Sequence, residues 1–381
     1  MNNLTWNKQE KNPRWWHGLA GILLVTISLV VRAGPVDDVR ADSGIYDSLG
    51  RSSYSKRDYF GGSPNKLEGW AFSFDNDILV PGGRDQDYTY GVAFNLAGET
   101  ITEKRLAPFR SLDWINRTLG INKSNLPARH ALEFGAYGFT PENKTRATLD
   151  PTDRPYASII YVSAIEELQT NDPSVVWRAS LTVGVLGLSV VGSAQNQVHE
   201  WVGSEYANGW DNQISDGGEP TIRYSVAHQK NWRTGTPNLE FKTTSQASIG
   251  YLTEASYGFS IRYGQISSRW QSFNPELASY REQATQSIDQ MYLSESYWIA
   301  GVALKIRSYN VFLEGQFKDS NVEYSRSQLN YGILESWVGY SHSLRSGLRI
   351  TYLLRGHTSE VKQGTGDRSV LWGGLTMSQA F

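Results

Sequence analysis

From residue 68 to the C-terminus the hydrophobic positions recur at every second residue. Trp70, Phe72 and Phe74 alternate with Ala71, Ser73 and Asp75, and Tyr88, Tyr90, Val92, Phe94 and Leu96 alternate with Thr89, Gly91, Ala93 and Asn95. A period of two belongs to a strand with one apolar face and one small or polar face. The pattern returns near 130–139, 156–165, 176–186, 221–230, 241–252, 257–264, 297–310, 329–342, 347–357 and 369–381. It predicts an all-β chain, a transmembrane antiparallel β-barrel of about 12 strands with a short helix in an extracellular loop. An even count closes the sheet without leaving an edge.

The two ends give the barrel an address. Lys8, Lys11 and Arg14 precede the apolar run 18–31, and the small Ala33, with Val31 two places before it, offers a cleavage point. Residues 1–33 therefore read as a signal peptide, because the run falls short of the ~20 residues that a spanning helix needs. An uncleaved anchor is the competing reading. Residues 34–67, rich in Asp, Ser, Gly and Arg, read as a polar, disordered leader, and 68–381 as the barrel. Leu371, Leu375, Met377 and the terminal Phe381 share one parity. A closing aromatic strand resembles the assembly signal of bacterial outer-membrane proteins, which makes the outer-membrane assembly machinery an expected partner. A soluble β-sandwich is the alternative. Composition narrows the chemistry further: no cysteine excludes thiol catalysis and disulfides, and a net charge of −2 leaves no general basic surface for nucleic acid.

With both ends in the periplasm, connections after odd-numbered strands face the cell exterior. Three polar connections then share the exterior rim: "ILVPGGRDQD", "TPENKTRATLDPTDRP" (140–155) and the long stretch 187–220. Asp75, Asn76 and Asp77 precede the first, and Asp85 and Asp87 lie within it. In the third, "SAQNQVHEWVGSEY" sets Val198, Trp201 and Val202 at helical spacing, which predicts a short helix packed on the barrel wall with His199 and Glu205 close by. The plain readings are a solvated histidine on an amphipathic loop helix, and turn-forming aspartates beside Gly82 and Gly83. No Gly-x-Ser-x-Gly or Ser-His-Asp arrangement is evident.

"FDND", "DQDYTYG", "ENK", "DRPYAS", "QNQVHEWVG", "GWDNQ", "GFSIRYG", "FLEGQF" and "RGHTSEV" follow one another in this order. The ordered set, from about residue 68 to the terminal Phe381, resembles the outer-membrane lipid A 3′-O-deacylase family. The resemblance implies a barrel with a calcium-dependent site between its wall and an extracellular-loop helix. It also implies hydrolysis of the ester that holds the 3′ acyloxyacyl chain of lipid A. Lipopolysaccharide would be the substrate, with outer-membrane lipid around a monomer. His199 matches the family's catalytic histidine, a general base on water. Asn76 and Asp77 match its Asn-Asp pair, Thr89 its threonine, Lys144 a lysine of the second exterior loop and Glu205 an acidic residue near the metal. Asp77, Asp87 and Glu205 are the expected calcium ligands, and Lys144 and Tyr206 the expected substrate contacts, with Lys144 equally suited to a lipopolysaccharide phosphate. Tyr206 sits one place off the family register, Ser158 stands where the family has glycine, and the insertion 98–127 has no family counterpart. An outer-membrane phospholipase, or a pore or binding barrel without activity, is the alternative function.

Overall fold

The structure, a computed structural model, describes residues 67–380 except 82–86, 99–106, 122–125, 127, 149, 273, 278–293 and 321. The signal peptide, the polar leader up to residue 66, Asp85 and Phe381 lie outside the described residues, and Leu67, expected in the leader, stands in a strand.

Twelve antiparallel strands close on themselves, each paired with its neighbours in sequence and β1 with β12. They are β1 (Leu67–Asn76), β2 (Asp87–Gly98), β3 (Arg129–Thr140), β4 (Ala157–Gln169), β5 (Val175–Leu186) and β6 (Glu219–Trp232). They continue as β7 (Leu239–Gly250), β8 (Leu252–Gln265), β9 (Glu295–Asn310), β10 (Gly332–Ser343), β11 (Leu348–His357) and β12 (Val370–Ala380). Alternation sorts their side chains. Phe94, Phe134, Val183, Ile222, Phe259 and Leu304 stand exposed on the outer wall, as a lipid-facing surface requires. Ser73 meets Thr376 inside at 2.9 Å, and Glu133 accepts hydrogen bonds from Asn95 and Tyr161, both at 2.6 Å.

Two boundaries differ from the periodicity. Tyr88 does not share a face with Val92 and Phe94: a bulge between Tyr88 and Tyr90 flips it inward, where its ring packs on Tyr137, Phe139 and Trp372. The β7–β8 reversal falls at Tyr251, ahead of the polar stretch 253–256 that separates the two expected segments. Gly250, at φ 130°, makes that corner, and Tyr251 is buried under it.

The lumen is filled. Near the exterior end, α3 (Val311–Glu314) drops Val311 and Phe312 among Tyr88, Tyr137, Phe139, Tyr251 and Trp372. Deeper lie ion pairs, among them Lys305–Glu335 at 2.5 Å, Arg307–Glu254 at 2.7 Å and Arg355–Glu335 at 2.9 Å. From the opposite end the β8–β9 connection reaches across: Glu276 accepts from Gln229, Lys242, Thr244 and Ser260, and Arg355 donates to the Pro275 carbonyl.

Two helices stand in the long connections. The first, α1 (Ala107–Thr118), occupies the insertion between β2 and β3. The second, α2 (Ser189–Val202), follows β5. Gly192–Ala207 belongs to a compact unit separate from the barrel, and each is described by itself below.

Candidate functional site

On the barrel, β1 ends in a built corner. Asn76 leaves the strand extended and caps the 3₁₀ turn Asp77–Leu79: its Oδ1 accepts from the Ile78 N–H at 2.7 Å. Its Nδ2 donates to the Thr89 carbonyl at 2.5 Å, across the first hairpin. Thr89 sits at the β2 bulge, its hydroxyl paired with that of Thr140 at 2.6 Å. Asp77, which follows the cap, is wholly buried. The two polar atoms of the Asn76 side-chain amide thus lock strand end to bulge and fix where the Asp77 backbone turns.

Asp87 is placed differently from its expected role. It adopts a left-handed conformation (φ 71°), and both carboxylate oxygens face Arg368, at 2.8 Å and 3.0 Å. Arg368 also donates to Asp153 at 2.6 Å, whose second oxygen holds the Glu142 N–H at 2.8 Å. Burial alone would lower the Arg368 pKa, but Asp87 and Asp153 outweigh it and raise the pKa. Arg154, next in the loop, pairs with Glu360, which also binds Arg307. Burial disfavours the charged form of Glu360, yet the two guanidiniums hold it well below the usual carboxylate range.

This network ties down the second exterior loop, which carries Lys144. The Lys144 carbonyl accepts from the Tyr156 hydroxyl at 2.8 Å and from the Asn208 N–H at 2.9 Å. Burial pushes the Tyr156 hydroxyl up to about 12, against the lowering contact from Gly209, so it remains a neutral donor. Trp210 packs edge-on against Tyr156 at 5.0 Å, and a side chain at Gly209 would collide with the Tyr156 ring. Ser158 donates to Gln213 at 2.8 Å, a partner that glycine at this position would lack. "DRPYAS" and "GWDNQ" are therefore two halves of one loop joint. Sequence reasoning missed Asp153, Tyr156 and Arg368 as positioning residues, although the first two lie inside a motif it singled out.

In the unit Gly192–Ala207, α2 ends in a Schellman-type turn: Gly203 takes φ 73° and the Ser204 N–H reaches back to the His199 carbonyl at 2.9 Å. Asn196 closes the return, accepting from the Ala207 N–H and donating to its carbonyl. His199 is buried, with Nδ1 at 2.7 Å from the Glu205 carbonyl oxygen. A carbonyl only accepts, so Nδ1 carries a proton, and in the neutral imidazole the lone pair then lies on Nε2. The Gln195 amide stands at 3.4 Å from Nε2. Glu205 contributes its carbonyl here, while its side chain and that of Tyr206 are exposed. Val198 and Trp201, expected to pack, are exposed, and the buried stripe is Gln195 and His199. The Val202 side chain lies outside the described residues. The apolar spacing marked the helix correctly and its buried face wrongly, because periodicity alone does not say which face is covered.

The donors present suit a hard cation in type. Asp77 offers a buried carboxylate on a turn rich in carbonyls, and Glu205 offers an exposed one. Among the described residues no three acidic or histidine side chains converge. Asp87 is engaged by Arg368.

The family model described as outer membrane protein LpxR matches residues 46–381. The chain belongs to the LpxR family. Among solved structures, LpxR from Salmonella typhimurium is 16% identical with a TM-score of 0.64, covering 82% of this chain and 100% of its own. Other outer-membrane barrels align less well. The β domain of the Bordetella autotransporter BrkA is 9% identical (TM-score 0.38; 83% of this chain, 99% of its own). An outer-membrane channel from Pseudomonas putida is 8% identical (TM-score 0.40; 90% and 100%). No curated protein matches the chain. Membership of the LpxR family places this barrel in the outer membrane and among proteins of lipid A remodelling.

Proposed function

We propose that this LpxR-family barrel is a calcium-dependent esterase that removes the 3′-linked acyloxyacyl chain of lipid A by attack of a histidine-activated water. The observation that carries the reading is the 2.7 Å contact between His199 Nδ1 and the Glu205 carbonyl oxygen. That contact keeps a proton on Nδ1, which leaves Nε2 of the neutral imidazole as the base.

Nε2 takes a proton from water while the oxygen attacks the ester carbonyl carbon. As the tetrahedral intermediate collapses, the bond to the sugar 3′ oxygen breaks and the imidazolium returns the proton to that oxygen. The acid and the sugar hydroxyl account for all atoms, and no acyl-enzyme forms. Asn76 and Thr89 are positioning residues, fixing the turn that presents Asp77. Lys144, on a carbonyl-anchored loop, offers an ammonium to the oxyanion or to a lipid A phosphate. Calcium, held by Asp77 and Glu205 with carbonyl and water oxygens, would supply positive charge where the oxyanion develops. Asp87, paired with Arg368, stands outside this donor set.

Turnover of purified lipid A in detergent tests the role of the base. His199→Ala should lower kcat about 10²–10⁴-fold, the span of general-base catalysis, with KM little changed. Wild-type turnover by that variant sinks the proposal. A phospholipase would apply the same chemistry to glycerophospholipid, and acyl release from that substrate instead of lipid A selects it. A pore requires an open lumen, whereas ion pairs, aromatic rings and the Glu276 connection fill this one.

A further inference from the structure

The insertion between β2 and β3 forms a helix on the outside of the barrel. Phe109 and Leu112 of α1 are buried against Ala164, Ala179 and Leu181, with Leu96, Leu132, Ile115 and Tyr224 packed around them. Leu96, Leu132, Ala164, Leu181 and Tyr224 are successive cross-strand partners, one row running across β2 to β6. Partners share a face, and the next row towards the exterior is Phe94, Phe134, Val162, Val183 and Ile222. Four of those five are exposed on the lipid-facing wall, Ile222 at 54%. Hence α1 lies flat on the outer wall, directly below the lipid-facing surface and close to the periplasmic ends of its strands.

Polar contacts fix it there. Asn116, fully buried, donates to Glu166 at 2.7 Å and accepts from the Tyr224 hydroxyl at 2.9 Å. His130, on the same outer face, stands at 3.5 Å from Glu166 and edge-on to Phe109. Three polar side chains of the outer wall are thus removed from contact with lipid by one helix. The opposite face of α1 presents Arg110, Trp114 and Arg117, with Trp114 67% exposed and Leu119 just beyond it 58% exposed. Asp113 pairs with Arg117 at 2.8 Å and leaves Arg110 as the second cation of that face. A tryptophan flanked by arginines at helical spacing, on a helix continuous with a lipid-facing wall, has the chemistry of the membrane interface: ring at the acyl boundary, guanidinium at the phosphate. On the far side, exposed Tyr263, Trp298 and Tyr340, cross-strand partners near the periplasmic ends of β8, β9 and β10, supply such aromatic groups from the strands themselves.

We propose that α1 is an interfacial anchor that binds anionic phospholipid of the periplasmic leaflet, with Trp114 and Leu119 in the acyl boundary and Arg110 and Arg117 on the headgroup phosphates. The docking surface is continuous with the lipid-facing wall and carries the charge opposite to its occupant.

The absence of cysteine makes the test direct. Trp114→Cys, labelled with a nitroxide in the full chain in lipid bilayers, is compared with Phe94→Cys on the lipid wall and Ser346→Cys in a periplasmic turn. The spin label at 114 should collide with oxygen in preference to a water-soluble nickel chelate, as at 94. Behaviour like that at 346 overturns the proposal. In parallel, Arg110→Gln with Arg117→Gln should retain at least about fivefold less phosphatidylglycerol than wild type after delipidation, the effect of one arginine at an anionic surface. Equal retention by a barrel that still resists heat and detergent overturns the role of the arginines. A photo-crosslinker at 114 that captures a periplasmic protein in cells, and no lipid, assigns the face to a protein and also overturns the proposal.

Discussion

At the scale of single residues, the account turns on His199, Asp77 and the groups that hold them. The Glu205 carbonyl faces His199 Nδ1, so the proposed chemistry rests on the backbone after the helix more than on the Glu205 side chain. Glu205→Gln should therefore retain the histidine's base function and alter only calcium dependence, read as a shifted calcium midpoint at unchanged maximal rate. Asn76→Ala removes the cap of the Asp77 turn and its tie to Thr89. The cap alone is worth about 1 kcal/mol of local stability, and the turn it orients should lose at least about tenfold in activity with the barrel intact by circular dichroism. His199, Asn76, Asp77, Thr89 and Lys144 were singled out by ordered motifs, and the structure joins Asn76 to Thr89 across the first hairpin. The use of Asp87 was not legible there: its partner Arg368 is 281 positions away, and nothing local in "DQDYTYG" announces a guanidinium across the rim.

At the scale of elements, period-two patterning located all twelve strands, because an outer wall against lipid and a packed lumen force strict alternation. It failed where the backbone breaks its own period. The bulge at Thr89 turned Tyr88 inward, and such an extra residue has no hydrophobic signature. Helix α1 was hidden for the converse reason: its apolar residues, Phe109, Leu112 and Ile115, sit inside a polar insertion that reads as loop by composition. The join between β5 and α2 offers a test at this scale. Gly187 has φ 65°, and a Cβ there would lie 2.0 Å from the Ser215 carbonyl oxygen. Gly187→Ala should dislodge the start of α2, and limited proteolysis should cut within 187–218 much faster than in wild type.

At the scale of the whole molecule, the barrel is a scaffold whose lumen is spent on stability. Glu360, between Arg154 and Arg307, anchors the last exterior connection. Its pKa is lowered on folding, so it contributes stability above the unfolded carboxylate value of about 4.3, and that contribution is lost as pH falls below it. Resistance to thermal unfolding should therefore fall progressively below about pH 4, and Glu360→Gln should flatten that dependence. The same substitution removes the carboxylate that Arg154 and Arg307 share, with Arg307 keeping Glu254, and should cost about 3–5 kcal/mol near neutral pH, read from the denaturant midpoint.

The central claim is hydrolysis of the 3′ ester of lipid A with His199 as base and calcium at the oxyanion. Its most direct test is mass spectrometry of lipid A from outer membranes carrying the wild-type chain or His199→Ala, each incubated with calcium or with a chelator. The account predicts loss of the 3′ acyloxyacyl mass in one sample, wild type with calcium. Intact lipid A in all four samples, with the barrel folded, would contradict it, and so would equal loss in the His199→Ala membranes.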